Sequence, residues 1–275
     1  MTDSINILLS RLEGVRCAGT GKWVARCPAH DDSNPSLSIT HADSGKILLH
    51  CFAGCTYRDI LTAVGVERVT SIAPIVCKPK PDIANKASAI WAHASQATSH
   101  EYLTRKHIQA HIAKIYRDSL VVPVRIGDEL TSLQFISASG EKKFLRGGKV
   151  KGGHAMIGKP NGTLCIAEGF ATAVTIHETT GHAVAVAFNC GNLLAVTKSM
   201  HETYPRSRLI LCADDDIWTD GNPGKTAATD AALSVGALLA IPKFGRKREE
   251  GATDFNDLAL ARGRDMVRRC IAEAK

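Results

Sequence analysis

From Thr163 onward short aliphatic runs alternate with helix-length segments, and this alternation constrains the fold more than any other feature of the chain. Runs at 163–167, 183–188, 208–213 and 238–241 read as strands. Segments 170–180, 191–203 and 224–236 read as the helices between them. Strands joined by crossover helices pair in parallel, so this half predicts a parallel α/β sheet. Such sheets bind ligands beyond the carboxyl ends of their strands. Acids stand at those ends here: Glu168 after the first run, and Asp214-Asp215-Asp216 after the third. Neighbouring carboxylates repel one another unless a cation joins them. Magnesium, or manganese in its place, suits a carboxylate-only site. The pattern therefore predicts a magnesium-dependent phosphoryl-transfer site. Asp214 and Asp216 alternate along extended chain and can share a face. Asp215 is a further expected magnesium ligand. A lone aspartate-rich loop would read as solvated surface; its pairing with Glu168 points to chemistry. Asp254, in Asp254-Phe255-Asn256-Asp257, is a weaker supplement, because it could simply cap a helix.

The length of 275 residues allows one or two domains. A net charge of +7 favours a polyanionic partner, either nucleic acid or an anionic membrane. There is no apolar run of about 18 residues, and the amino terminus lacks the pattern of a signal peptide. Nucleic acid is therefore the expected partner, a membrane is not, and the expected compartment is the cytoplasm. Nine cysteines make an odd set for a disulfide framework. Cys165 and Cys212 lie inside predicted strands and read as small apolar residues.

Three other cysteines cluster. Cys27-Pro28-Ala29-His30 and Cys51-Phe52-Ala53-Gly54-Cys55 form two ligand pairs flanking a predicted hairpin, with strands at 36–40 and 46–50 and a turn at Asp43-Ser44-Gly45. Thiolates and imidazole at this spacing suit tetrahedral zinc, and a closed four-ligand site is structural. Cys27, His30, Cys51 and Cys55 are the expected ligands. His50 rivals His30 but would leave the first pair with a single ligand. Trp23 and Phe52 either pack in a small core or stack on unpaired bases.

The chain divides in sequence into four parts. Residues 1–70 form a zinc-binding module, and the proline-bearing stretch 71–87 reads as a linker. Residues 88–160 form a basic subdomain, with a helix over 88–105 and strands at 120–125 and 131–136. Residues 161–275 form the parallel α/β domain. The segment 142–151 carries Lys142, Lys143 and Lys151 among five basic residues. Alone it would read as a solvated loop; beside a magnesium site its lysines suit triphosphate or template. A second basic group is Lys243, Arg246, Lys247 and Arg248. Gly169, after Glu168, would let a phosphate or metal approach the backbone. Gly224-Lys225-Thr226 ends like a P-loop, but Thr219 stands where that motif needs glycine, so an ATPase P-loop is rejected. Gly224 and Lys225 remain candidates for holding phosphate at a helix start.

With Glu168 ending one strand and Asp214 and Asp216 ending another, the carboxyl half resembles the Toprim fold of primases, topoisomerases and some nucleases. The module Cys27-Pro28-Ala29-His30, Asn34-Pro35-Ser36-Leu37-Ser38-Ile39, His50 to Cys55 resembles the zinc-binding domain of bacterial primases. The segments 167–173, 187–193 and 254–258 are similar to the plasmid and phage branch. The resemblance implies a zinc-ribbon-like β module, a linker, an α+β basic subdomain and a Toprim domain. It also implies a primase that binds single-stranded DNA and makes short RNA primers from NTPs, using structural zinc and catalytic magnesium. Glu168, Asp214 and Asp216 would be its catalytic residues, and Lys142, Lys143 and Lys151 would lie near template and nucleotide. A separate replicative helicase is the further partner the resemblance implies, and no fused helicase is expected. A Toprim nuclease and a non-catalytic single-strand-binding accessory protein are the alternatives.

Overall fold

The computed structural model describes residues 3–42, 46–65, 83–245 and 248–275. The turn expected at 43–45, the linker up to residue 82, and Arg246 and Lys247 lie outside the described residues. The chain divides into two units, Met1–Pro81 and Asp82–Lys275.

In the first unit α1 (Asp3–Ser10) is followed by β1 (Arg16–Gly19), β2 (Lys22–Ala25), β3 (Leu37–His41), β4 (Ile47–Cys51) and α2 (Tyr57–Val64). The four strands pair in sequence order, antiparallel throughout. Alternation along β3 buries Leu37 and Ile39, and these meet Ile5, Leu8 and Leu9 of α1 and Ile60 of α2. A reciprocal cap between Thr56 and Asp59 starts α2, and Gly65 at φ 70° ends it.

The second unit opens with α3 (Ile83–His93), β5 (Ser95–Gln96), α4 (Glu101–Lys106), β6 (Lys114–Tyr116), β7 (Ser119–Ile126), β8 (Glu129–Ile136) and β9 (Lys142–Phe144). The helix expected over 88–105 is thus two helices, the first beginning inside the expected linker. Pairing of Ser95 and Gln96 with Ile115 and Lys114 pulls the intervening backbone into strand and overrides helix propensity. Strands β5 to β9 form an antiparallel sheet in chain order. Val121 on one face packs with Ala87 of α3, while Leu120, Val122 and Val124 enter the main core.

Then follow β10 (Ala155–Ile157), β11 (Thr163–Ala167), α5 (Phe170–Thr180), β12 (Ala183–Val186), α6 (Cys190–Thr203), β13 (Arg208–Cys212), α7 (Pro223–Val235), β14 (Leu238–Ala240), α8 (Phe255–Arg262) and α9 (Arg264–Ala272). Their sheet runs β10-β12-β11-β13-β14, parallel except for β10 at the edge. β10 precedes the expected boundary at 161, yet it belongs to this sheet. Both faces are covered, which explains the near-continuous apolar strands. Cys165, Ala167, Ile210 and Cys212 face α5, α8 and α9. Leu164, Ile166, Leu209 and Leu211 face α6 and α7. The first of these cores also takes in Leu120, Val122, Val124 and Ile136, so the two sheets of this unit share one interior.

Candidate functional site

The register Ala167↔Cys212 sets the ends of β11 and β13 side by side. Glu168 and Asp214 therefore emerge from adjacent strands. Burial raises the Glu168 carboxyl above the usual range, and the charge of Asp216 adds to this; Lys142 and the Cys190 N–H oppose it. Asp214 is raised further, by burial and then by Asp254, Glu168 and Asp216. Its Oδ1 is shielded from solvent with no hydrogen-bond partner. Asp254 caps α8 by accepting from the Asp257 N–H at 2.8 Å, and also accepts from Thr172 Oγ1 at 3.0 Å. Burial and Asp257 raise it as well. It is a full member of the acidic group, not only a cap. A shielded, unpartnered carboxylate oxygen among acids that resist ionisation suits a divalent cation bound through oxygen, while, among the described residues, no three of these acids bring ligand atoms within 4.8 Å of one another.

Asp215 has another task. Its carboxylate pairs with Arg248 Nη1 at 2.6 Å and accepts from Asn222 Nδ2 at 2.8 Å. Arg248 Nη2 reaches the Asp215 carbonyl, and Arg248 Nε donates to Ala252 O at 2.7 Å. Asp215, expected as a magnesium ligand, is thus paired with a guanidinium here. Asn222, which the sequence did not single out, accepts from the Asp216 N–H at 2.8 Å and so ties the loop closed.

Gly224 also departs from expectation. Its N–H donates to Asp216 Oδ2 at 2.9 Å, and a Cβ there would lie 2.6 Å from that oxygen and 2.9 Å from the Asp214 carbonyl. The Lys225 N–H points to Asn222 Oδ1 at 3.4 Å. These N–H groups serve the acidic loop and are not free for phosphate. Gly169 caps α5, and a Cβ on it would sit 3.8 Å from Lys142 Nζ.

The basic segment splits by strand alternation. Lys142 and Phe144 share a face of β9: Lys142 acts on Glu168 and Asp214, and Phe144 meets Phe188 edge-on with centroids 5.8 Å apart. Lys143 points the other way and pairs with Glu141 at 2.8 Å. Lys151 is exposed. The nearby turn is fastened by buried Asn192, whose Nδ2 donates to Gly153 O at 2.9 Å and Ala187 O at 2.8 Å while its Oδ1 accepts from the Gly152 N–H at 2.7 Å.

In the first unit Cys27, His30, Cys51 and Cys55 bring one ligand atom each to within 4.8 Å of one another, the one such group among the described residues. His30 Nδ1 lies 3.2 Å from Cys55 Sγ and 3.9 Å from Cys51 Sγ. Tetrahedral zinc, with bonds of about 2.0–2.3 Å, sets its ligand atoms roughly 3.5–3.8 Å apart. Burial pushes the Cys27 thiol up to about 12; at Cys51 burial is outweighed by the Cys55 and Ala53 N–H groups, which bring it down to about 6. Asp32, held down to about 2 by the Cys27 N–H and the Ser36 hydroxyl, lies 3.9 Å from His30 Nε2, near it but beyond hydrogen-bonding distance. This donor set fits zinc. His50 is exposed and packs edge-on against Phe52. Trp23 packs on the core, and Phe52 is 73% exposed.

A Cys/His module, a basic antiparallel sheet and a doubly wound sheet tipped with acids are thus combined in one chain, the last of them carrying a Toprim domain. Residues 163–265 match the Toprim domain family. Two Escherichia coli proteins named DNA primase TraC are similar in sequence. One is 33% identical over 157 residues, covering 52% of this chain and 15% of that protein. The other is 37% identical over 122 residues, covering 41% and 8%. The chain thus spans a small part of the length of these relatives. The fold is similar to that of the primase fragment of the bacteriophage T7 primase-helicase protein, with TM-score 0.50, 15% identity, and coverage of 90% of this chain and 99% of that one. The sequence likeness is thus to part of two proteins named as primases, and the likeness to the T7 fragment is one of fold.

Proposed function

We propose that the chain binds single-stranded DNA and joins ribonucleotides into short RNA primers. The observation that carries this reading is the β11–β13 register, which sets Glu168 and Asp214 side by side, with Lys142 Nζ so near that a Cβ on Gly169 would lie 3.8 Å from it. Asp214, Asp216, Asp254 and Glu168 would hold magnesium or manganese. A bound divalent ion supplies charge neutralisation at the attacking and leaving oxygens. Lys142 pairs with the nucleotide phosphates, and Lys143 and Lys151 are left to steer the strand from the surface. Glu168 either ligates the ion or takes the proton of the attacking 3′-hydroxyl. The Cys/His module, built around zinc through Cys27, His30, Cys51 and Cys55, meets the template. A separate replicative helicase and a cytoplasmic setting complete the proposal. The test is incubation with single-stranded DNA, Mg²⁺ and labelled NTPs. Short RNA products are expected. DNA fragments instead would make the protein a nuclease, and retention without chemistry an accessory binding protein.

A further inference from the structure

Of the three tryptophans, Trp23 and Trp91 pack on cores. Trp218 does not: it is 53% exposed, and its neighbour Ile217 is 50% exposed. Single exposed apolar side chains are ordinary, but here two adjacent ones, Ile217 and Trp218, stand together directly after the acidic loop. The loop is not loose. The Ile217 N–H donates to Asp215 O at 2.8 Å, the Thr219 N–H to Asp216 O at 2.9 Å, and the Asn222 N–H to Thr219 O at 3.0 Å. Asn222 and Arg248 hold its start through Asp215 and Asp216. The indole is therefore presented by a backbone already ordered, and a ligand stacking on it pays little loop entropy.

We propose that Trp218, flanked by Ile217, is a stacking platform for one nucleobase at the acidic site. Trp218 stands two residues from Asp216, a span of at most about 7 Å. A nucleotide carries its base and phosphate on one sugar, so a phosphate at the acids sets its base within reach of the indole. Base–indole stacking tolerates any base, because each has a π face. The base belongs either to the DNA strand or to an incoming NTP; this choice rests on the primase reading, while the platform itself does not.

The test is tryptophan emission, taking the difference between wild type and Trp218→Phe as the Trp218 signal. The probes are an oligodeoxythymidylate, an abasic oligonucleotide of equal length, and an NTP mixture with Mg²⁺. Quenching by the base-bearing strand but not the abasic one assigns the platform to template; quenching by NTPs alone assigns it to the incoming nucleotide. Trp218→Ala should weaken binding of the quenching probe about five- to a hundredfold, and Trp218→Phe far less. No quenching by any probe, equal loss for abasic and base-bearing strands, or Trp218 covered by a second copy of the chain in solution overturns the proposal. Quenching without primer synthesis would sink the primase reading and leave the platform standing.

Discussion

At the scale of single residues, the acidic site depends on which carboxylate is free and which is engaged. Gly224 is where this is easiest to disturb, since a methyl would collide with Asp216 and with the Asp214 carbonyl. Gly224→Ala should cost about 1–3 kcal/mol by overpacking and abolish primer synthesis, although alanine favours helix; urea denaturation and the synthesis assay read both. Asp214 gives a pH prediction. Its folded carboxyl is raised above its unfolded value. The fold therefore holds the proton longer than the unfolded chain, and metal-free stability falls as pH rises between the two values. Asp214→Asn carries no such proton, so its stability advantage over wild type should be largest above the raised folded value and fade as pH falls toward the unfolded value of about 3.9. Urea midpoints in chelator measure this, and a pH-independent gap would show that Asp214 is not held neutral. The three aspartates were legible in sequence as a group, but their division of labour was not. Arg248, 33 residues away, pairs with Asp215 and with neither of its neighbours, and no local pattern announces that pair. Asp254 was half-legible: its capping role is local, whereas its approach to Asp214 is tertiary.

At the scale of elements, period two decides the basic segment. Lys142 and Lys143 are equivalent in composition, and their placement on opposite faces of β9 separates them. Lys142→Ala should lower primer synthesis severely and raise the magnesium requirement. Lys143→Ala should leave synthesis near wild type and only flatten the salt dependence of strand binding. Equal losses in the two would put β9 elsewhere. The strands and helices after Thr163 were readable because both faces of that sheet are buried, which leaves unbroken apolar runs. The break between α3 and α4 was not readable, because it is imposed by β6, a partner about twenty residues on.

At the scale of the molecule, two units have separate cores, and only the first carries the Cys/His group. Metal analysis should find about one zinc per chain. Cys51→Ser should lose it, and residues 3–65 should then become open to protease while the acidic unit stays resistant. A metal-free module as resistant as wild type would contradict this. A different consequence follows from β10. The Toprim match begins at residue 163, but β12 is shielded by β10, and β10 comes from the chain before that point. All four residues of β12 are buried. A recombination event, or a cloning scheme, that cut at 163 would transmit a sheet without its guard strand, leaving an apolar edge open to pair with its neighbours. The heritable unit is therefore longer than the recognisable one: the segment from Ala155 must travel with the acids it helps to carry.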